Sequence, residues 1–258
     1  MFDLLFPARR RARLRAEPFP AELAALMDQR VPMLHHLSAE DRRELEGHVA
    51  VFLADKHFEG AGGQVITDEI KVTVAAQACL LLLHREVDEP YPSLDTVLVY
   101  PRGWATHAHR VQDRLVHEGR EARSGESWQR GLVILSWDAA KHGAREEHDG
   151  HNVVLHEFAH QLDTETGGGA DGAPVLPDRG MYTAWSRVLG REYEALVAAI
   201  HRDRPTTLDP YGATSPAEFF AVATEAFFER PRPLRARHPE LYEQLAAFYK
   251  QDPASWSA

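Results

Sequence analysis

The sequence predicts an α+β protein, mainly helical, with a small sheet set among the helices. Three observations carry this. Apolar residues recur at three- and four-residue spacing through most of the 258 residues. Only two runs, Thr96-Val97-Leu98-Val99-Tyr100 and Gly131-Leu132-Val133-Ile134-Leu135-Ser136-Trp137, have the continuous β-branched character of buried strands. A hydrophobic content of 44% is enough to bury a proper core. The expected organisation is an N-terminal helical region, residues 1–90, packed on a second region, 91–258, as one compact unit.

Composition narrows the function before any motif is read. A net charge of -10 argues against general nucleic-acid binding, which needs a basic face to neutralise phosphates. The one cysteine, Cys79, excludes an intrachain disulfide framework, and its apolar helical setting reads as a buried, inert thiol. No stretch approaches the ~18–20 apolar residues that span a bilayer, and no signal-peptide pattern follows the start, so the cytoplasm is the expected compartment.

The elements follow in order. Arg9, Arg10, Arg11, Arg13 and Arg15 crowd the start and read as a solvated basic arm, or as a docking segment for an acidic partner or lipid surface; Asp3 and Pro7 argue against an amphipathic helix there. From Ala21 to about Asp55 the pattern is a helical hairpin, with Ser38 capping the second helix and Asp41 three residues on. Gly60, Gly62 and Gly63 predict a turn leading to a short strand near Val65 and Ile66, and as a phosphate cradle they lack the following Lys-Ser/Thr. Glu69 to His84 reads as a strongly apolar helix. The two strands come next, the second of them in the right order to be an edge strand that pairs with extended substrate. Between them, Arg102 to Arg130 is polar and Gly-bearing, an irregular segment expected to cover a cleft. Further helices are expected at Tyr182–Arg202, Ser215–Phe228 and Glu240–Tyr249, with Pro231, Pro233 and Pro239 as punctuation among a second set of arginines, Arg230, Arg232, Arg235 and Arg237.

The chemistry is concentrated in Val153-Val154-Leu155-His156-Glu157-Phe158-Ala159-His160-Gln161-Leu162-Asp163. Histidines four residues apart stand one turn apart on a helical face, so His156 and His160 can reach one metal ion while Glu157 faces its water. Asn152 is the expected N-cap, and Gly167-Gly168-Gly169 the stop. Such a centre needs a third protein ligand. A third histidine in the spaced HExxHxxGxxH arrangement is excluded, because Asp163 and Thr166 occupy the Gly and His positions. The remaining source is a carboxylate on a later helix. Glu218 comes first, although Ser215-x-x-Glu218 is also a capping box that explains a Glu without any metal. Glu225, seven residues on and near the same face, stays open as ligand or as an acceptor behind a histidine. Asp163 is expected to make an outer hydrogen bond rather than to ligate.

HEFAHQLD followed by YGATSPAEFFAVATEAFF resembles the Mlc titration factor A family of zinc-dependent peptidases, and the similarity runs over nearly the whole chain, including VTVAAQACLLL and GLVILSW. The resemblance, which extends distantly to the catalytic domain of anthrax lethal factor, implies a zincin-like core with a small mixed sheet and N-terminal helices. It implies one Zn2+ held by His156, His160 and Glu218, with Glu157 as general base and Tyr211, seven residues before Glu218, at the site. It implies a cytoplasmic protein with a peptide or protein substrate and, from the family's name, a transcriptional repressor of sugar uptake as partner. The expected activity is therefore zinc-dependent peptide hydrolysis. The competing class is a binding protein that sequesters such a regulator, with cleavage incidental. A closed structural zinc site is disfavoured because such sites are usually rich in Cys.

Overall fold

The computed structural model describes residues 6–102, 131–165 and 169–256. The chain runs through α1 (Pro7–Ala16), α2 (Ala21–Arg30), α3 (Ala39–Asp55), β1 (His57–Gly60), α4 (Asp68–Leu80), β2 (Thr96–Tyr100), β3 (Leu132–Ser136), α5 (Trp137–Arg145), α6 (Val153–Asp163), α7 (Met181–Ile200), α8 (Pro216–Glu229), α9 (Pro231–Arg237) and α10 (Pro239–Tyr249), with 3-10 turns at Pro32–His36, Pro210–Ala213 and Pro253–Ser255. The mainly helical expectation holds. The expected segment 102–130 lies, but for its first residue, outside the described residues.

The sheet has the order β1-β2-β3, and both pairings are parallel, so among the described residues it is not the mixed sheet that was expected. Parallel neighbours need a crossover, and α4 supplies the one between β1 and β2. The register sets Val97 beside Val133 and Val99 beside Leu135, all four fully buried, so one face of the sheet is apolar. The first strand is not at Val65 and Ile66 but at His57–Gly60, which no β-branched run announces; its pairing with β2 makes it a strand. A Cβ on Gly60 would fall 1.8 Å from the Gln64 carbonyl oxygen, so the glycine permits the tight return after the strand. Among the described residues β1 and β3 are the two outer strands.

α4 is the central helix, buried from Ile70 to Leu80 apart from Lys71 and packed on α2, α3, α5 and α6. Its Thr67 cap accepts from the Ile70 amide, and Cys79 is fully buried, with desolvation pushing its thiol far up. α8 is the second core helix: its Phe220, Phe227 and Phe228 pack among Trp185, Phe248, Tyr242 and Tyr249, and its Phe219 against Tyr193. Ser38 caps α3 as expected. Two features depart from the sequence reading. Ser136 ends β3 and caps α5 at once, so no breaker separates strand from helix. α9 begins with Pro231 and Pro233 in its first turn, where proline needs no partner for a missing N–H.

The basic start is not a solvated arm. α1 forms, and Arg11 bonds Asp55 at 2.7 Å, Asp88 at 3.0 Å and Glu89, while Arg10 also pairs with Asp55. Arg15 donates to the Val87 carbonyl at 2.9 Å. Burial raises the Asp55 carboxyl, but the two guanidinium groups outweigh it and hold it below its ordinary range. The acidic partner is the chain itself. Among the described residues no helix is long and apolar enough to cross a membrane.

Candidate metal centre

α6 and α8 pack against each other, and the site is built on their facing sides. α6 starts at Asn152, whose Oδ1 accepts from the Val154 and Leu155 amides at 3.1 Å each. From that start, His156 and His160 fall one turn apart on the buried face, at 3% and 0% exposure. Their Nε2 atoms are 3.3 Å apart. On α8, Ser215 Oγ accepts from the Glu218 amide at 3.2 Å, which is the capping half of the capping-box reading. The Glu218 carboxylate does not turn back to the cap. Its Oε2 lies 2.9 Å from His156 Nε2 and 3.4 Å from His160 Nε2. Each of the three residues offers a ligand atom within 4.8 Å of the others.

Glu225 is on the other side of the same imidazole. Its Oε1 is 2.7 Å from His156 Nδ1, and its Oε2 accepts from the Asn152 amide. It is outside the three-residue group, behind a histidine. The network runs on: Asn152 Nδ2 donates to Gln77 Oε1 at 2.8 Å and to the Gly143 carbonyl at 3.2 Å, and Gln77 Nε2 donates to the Thr73 carbonyl at 2.8 Å. So α4 fixes the cap of α6. The sequence reading missed Gln77. Its signal was a lone amide in an otherwise apolar buried helix, which must find partners.

Tyr211 sits in the 3-10 turn Pro210–Ala213, begun by Asp209, whose Oδ1 accepts the Tyr211 amide at 2.7 Å. Its ring lies 6.0 Å from the His156 ring, tilted by 42°. Gly212 lets the turn come close: a Cβ there would meet Leu196 and Val222 at 3.3 Å. Glu157, half-buried, occupies the turn of α6 between the histidines. Asp163 does not join the ligand atoms. Its Oδ2 accepts from the Gly172 amide at 2.8 Å, and Gly172 carries Trp185 Nε1 on its carbonyl at 2.9 Å. Gly172 has φ +80° and a Cβ there would reach 2.5 Å from the Pro216 carbonyl oxygen, so only glycine lets this loop lie against the start of α8.

The electrostatics favour a positive charge among the three groups. Burial opposes charge on His156, but Glu225 and Glu218, one on each nitrogen, hold it well above the ordinary histidine range. Burial pushes Glu218 up, and bonds from His156 and His160 outweigh it, holding the carboxyl well below its usual range. A buried N, N, O donor set that stabilises positive charge fits a divalent metal ion.

The family of glucose-regulated metallo-peptidases, M90, matches residues 6–250. The chain belongs to this family. Its relatives match it over most of its length. An uncharacterized protein of Synechocystis sp. (slr2042) is 41% identical over 246 residues, 95% of this chain and 89% of the relative. Mlc titration factor A of Klebsiella pneumoniae subsp. pneumoniae is 34% identical over 226 residues, 86% of this chain and 84% of the relative. Mlc titration factor A of Salmonella typhi is 31% identical over 227 residues, 87% and 84% of the two chains. Membership of a metallo-peptidase family implies a metal cofactor, and among the described residues His156, His160 and Glu218 are the buried group that could hold one.

Proposed function

We propose that this M90 protein is a cytoplasmic zinc-dependent peptidase, with His156, His160 and Glu218 as zinc ligands and Glu157 and Tyr211 as catalytic residues. The observation that carries this reading is the convergence of the two imidazoles and the Glu218 carboxylate on one buried point, in a chain of a metallo-peptidase family. Bound there, zinc would supply Lewis acidity, polarising a carbonyl and lowering the pKa of water toward ~7.

The chain's own groups do the rest. Glu225 on His156 Nδ1 fixes that ring so that Nε2 faces Glu218 and His160. Glu157 accepts the proton of the attacking water and passes it to the leaving amine. The Tyr211 hydroxyl donates to the oxygen on which negative charge develops, or to the leaving group. β3, outer in the sheet among the described residues, offers backbone to an extended peptide. The test is Glu157→Gln. The variant should keep its zinc and lose about 10²–10⁴ in peptide cleavage; cleavage at the parent rate would remove Glu157 from the mechanism.

A second reading, binding of a transcriptional regulator, is favoured by the name of the enterobacterial relatives. It separates from the first by whether chelator-stripped protein still binds an Mlc-type repressor with unchanged affinity.

A further inference from the structure

The turn that carries Tyr211 begins at a residue with two oxygens to give. Pro210 has no N–H, so the first amide that the Asp209 carboxylate can cap is that of Tyr211 itself, and Oδ1 takes it at 2.7 Å. Asp209 is extended, at φ -60° and ψ 133°, the conformation that a following proline favours. Its Oδ2 turns the other way. It stands 3.5 Å from Nδ1 of His151, the residue just before the Asn152 cap of α6. One carboxylate therefore lies between the turn that holds Tyr211 and the start of the helix that holds His156 and His160.

The flanks of the turn are fixed without Asp209. Before it, Leu208 is 3% exposed and the Thr207 carbonyl accepts from Arg230 Nη1 at 3.3 Å. After it, the Ala213 carbonyl accepts from the Tyr193 hydroxyl at 3.3 Å, and Gly212 packs close to Leu196 and Val222. A cap alone needs only the one oxygen of a Ser or Thr. What the second carboxylate oxygen adds is a tie to α6. The side chains of Asp209 and His151 are 27% and 53% exposed, so either can be replaced without opening the core. The Tyr211 ring lies 6.0 Å from the His156 ring. Displacement of a reacting group by about 1 Å costs about 10² in rate, so the angle at which this turn presents its tyrosine matters.

We propose that Asp209 is a positioning residue for the proposed hydrolysis: it ties the backbone of Tyr211 to the start of α6 through His151 and so aims the Tyr211 hydroxyl at the oxygen on which charge develops. The inference rests on the role given above to Tyr211. Asp209 touches neither metal nor substrate and acts only through Tyr211, so its removal costs no more than removal of the hydroxyl.

The test is a double-mutant cycle in kcat on the zinc-loaded protein, with Asp209→Ala and Tyr211→Phe made singly and together. Asp209→Ala should keep its zinc and its KM and lose about tenfold in kcat, less than the loss of about 10² in Tyr211→Phe. The double variant should be no slower than Tyr211→Phe. Asp209→Asn, which keeps an oxygen for the amide and the same reach toward His151, should stay within about twofold of the parent. Asn as slow as Ala overturns the proposal, because charge and not position would then matter. A general structural role would lower kcat by the same factor in both backgrounds, or release zinc, and either result overturns it too. So does a parent-like kcat in Asp209→Ala where Tyr211→Phe is impaired, which leaves the role of Tyr211 standing. A parent-like Tyr211→Phe removes that role and the inference with it. If Asp209→Ala unfolds in a thermal melt, the exposed His151→Ala decides. A several-fold loss of kcat that vanishes in the Tyr211→Phe background supports the tie, and no loss, or the same loss in both backgrounds, overturns it.

Discussion

Replacing Asn152 by Ala removes four side-chain hydrogen bonds at a residue that is 2% exposed. Two of them cap α6, and their loss costs about 1 kcal/mol, within a range of 0.5–2. A third leaves Gln77 Oε1 buried with no donor, which costs about 1–3 kcal/mol. Little relaxation is available, because a Cβ on Gly143 would already lie 3.0 Å from the Asn152 Cα. The backbone bond from the Asn152 amide to Glu225 survives the substitution. The sum is about 2–4 kcal/mol, or about 5–15 °C in Tm for a chain of this length. Thermal and urea unfolding of Asn152→Ala, Gln77→Ala and the double variant measure it. The two substitutions should couple, the second costing less once the first is made. A loss under about 0.5 kcal/mol, or strict additivity in the double variant, would refute the view that the cap of the metal helix is anchored through Gln77.

Glu229 sets a pH dependence. Its folded pKa of about 9 lies above the ordinary 4.5. The folded state therefore keeps a proton that the unfolded chain gives up, and stability falls as pH rises from about 4.5 toward 9, by about 3 kcal/mol at most at pH 7. Glu229→Gln mimics the protonated acid; it should gain on the parent as pH rises to 8 and match it near pH 4.5 in urea denaturation, and a pH-independent gap would contradict this. Tyr211→Phe should keep full zinc content and lose about 10²-fold in kcat with little change in KM. Steady-state kinetics on a fluorogenic peptide read it, and an unchanged kcat removes the hydroxyl from the reaction.

The metal helix was legible because three local signals agree in it: the Asn152 cap, the apolar opening and the i, i+4 histidines. Glu218 shows why a local reading can be right and incomplete. Its amide is capped by Ser215, as the pattern says, while its carboxylate serves the histidines across the helix pair. Glu218 and Glu225 face opposite nitrogens of His156, and Glu218 alone of the two reaches His160; that depends on the packing of α8 on α6, not on spacing. β1 and the docking of α1 were illegible for a related reason. A parallel strand without β-branched residues, and arginines paired with Asp55, Asp88 and Glu89, are defined by partners 39 to 78 positions away. α5 was missed because Ser136 serves strand and helix together.

Metal binding at the His156–His160 pair depends on which carboxylate completes the centre. The most direct measurement is the zinc content of the purified parent, Glu218→Ala and Glu225→Ala, taken together with zinc affinity by chelator competition. The parent should hold one zinc per chain and Glu218→Ala essentially none, while Glu225→Ala keeps a zinc bound about 10–100-fold more weakly. Retention of tightly bound zinc in Glu218→Ala, with its loss in Glu225→Ala, would contradict the assignment of the centre to His156, His160 and Glu218.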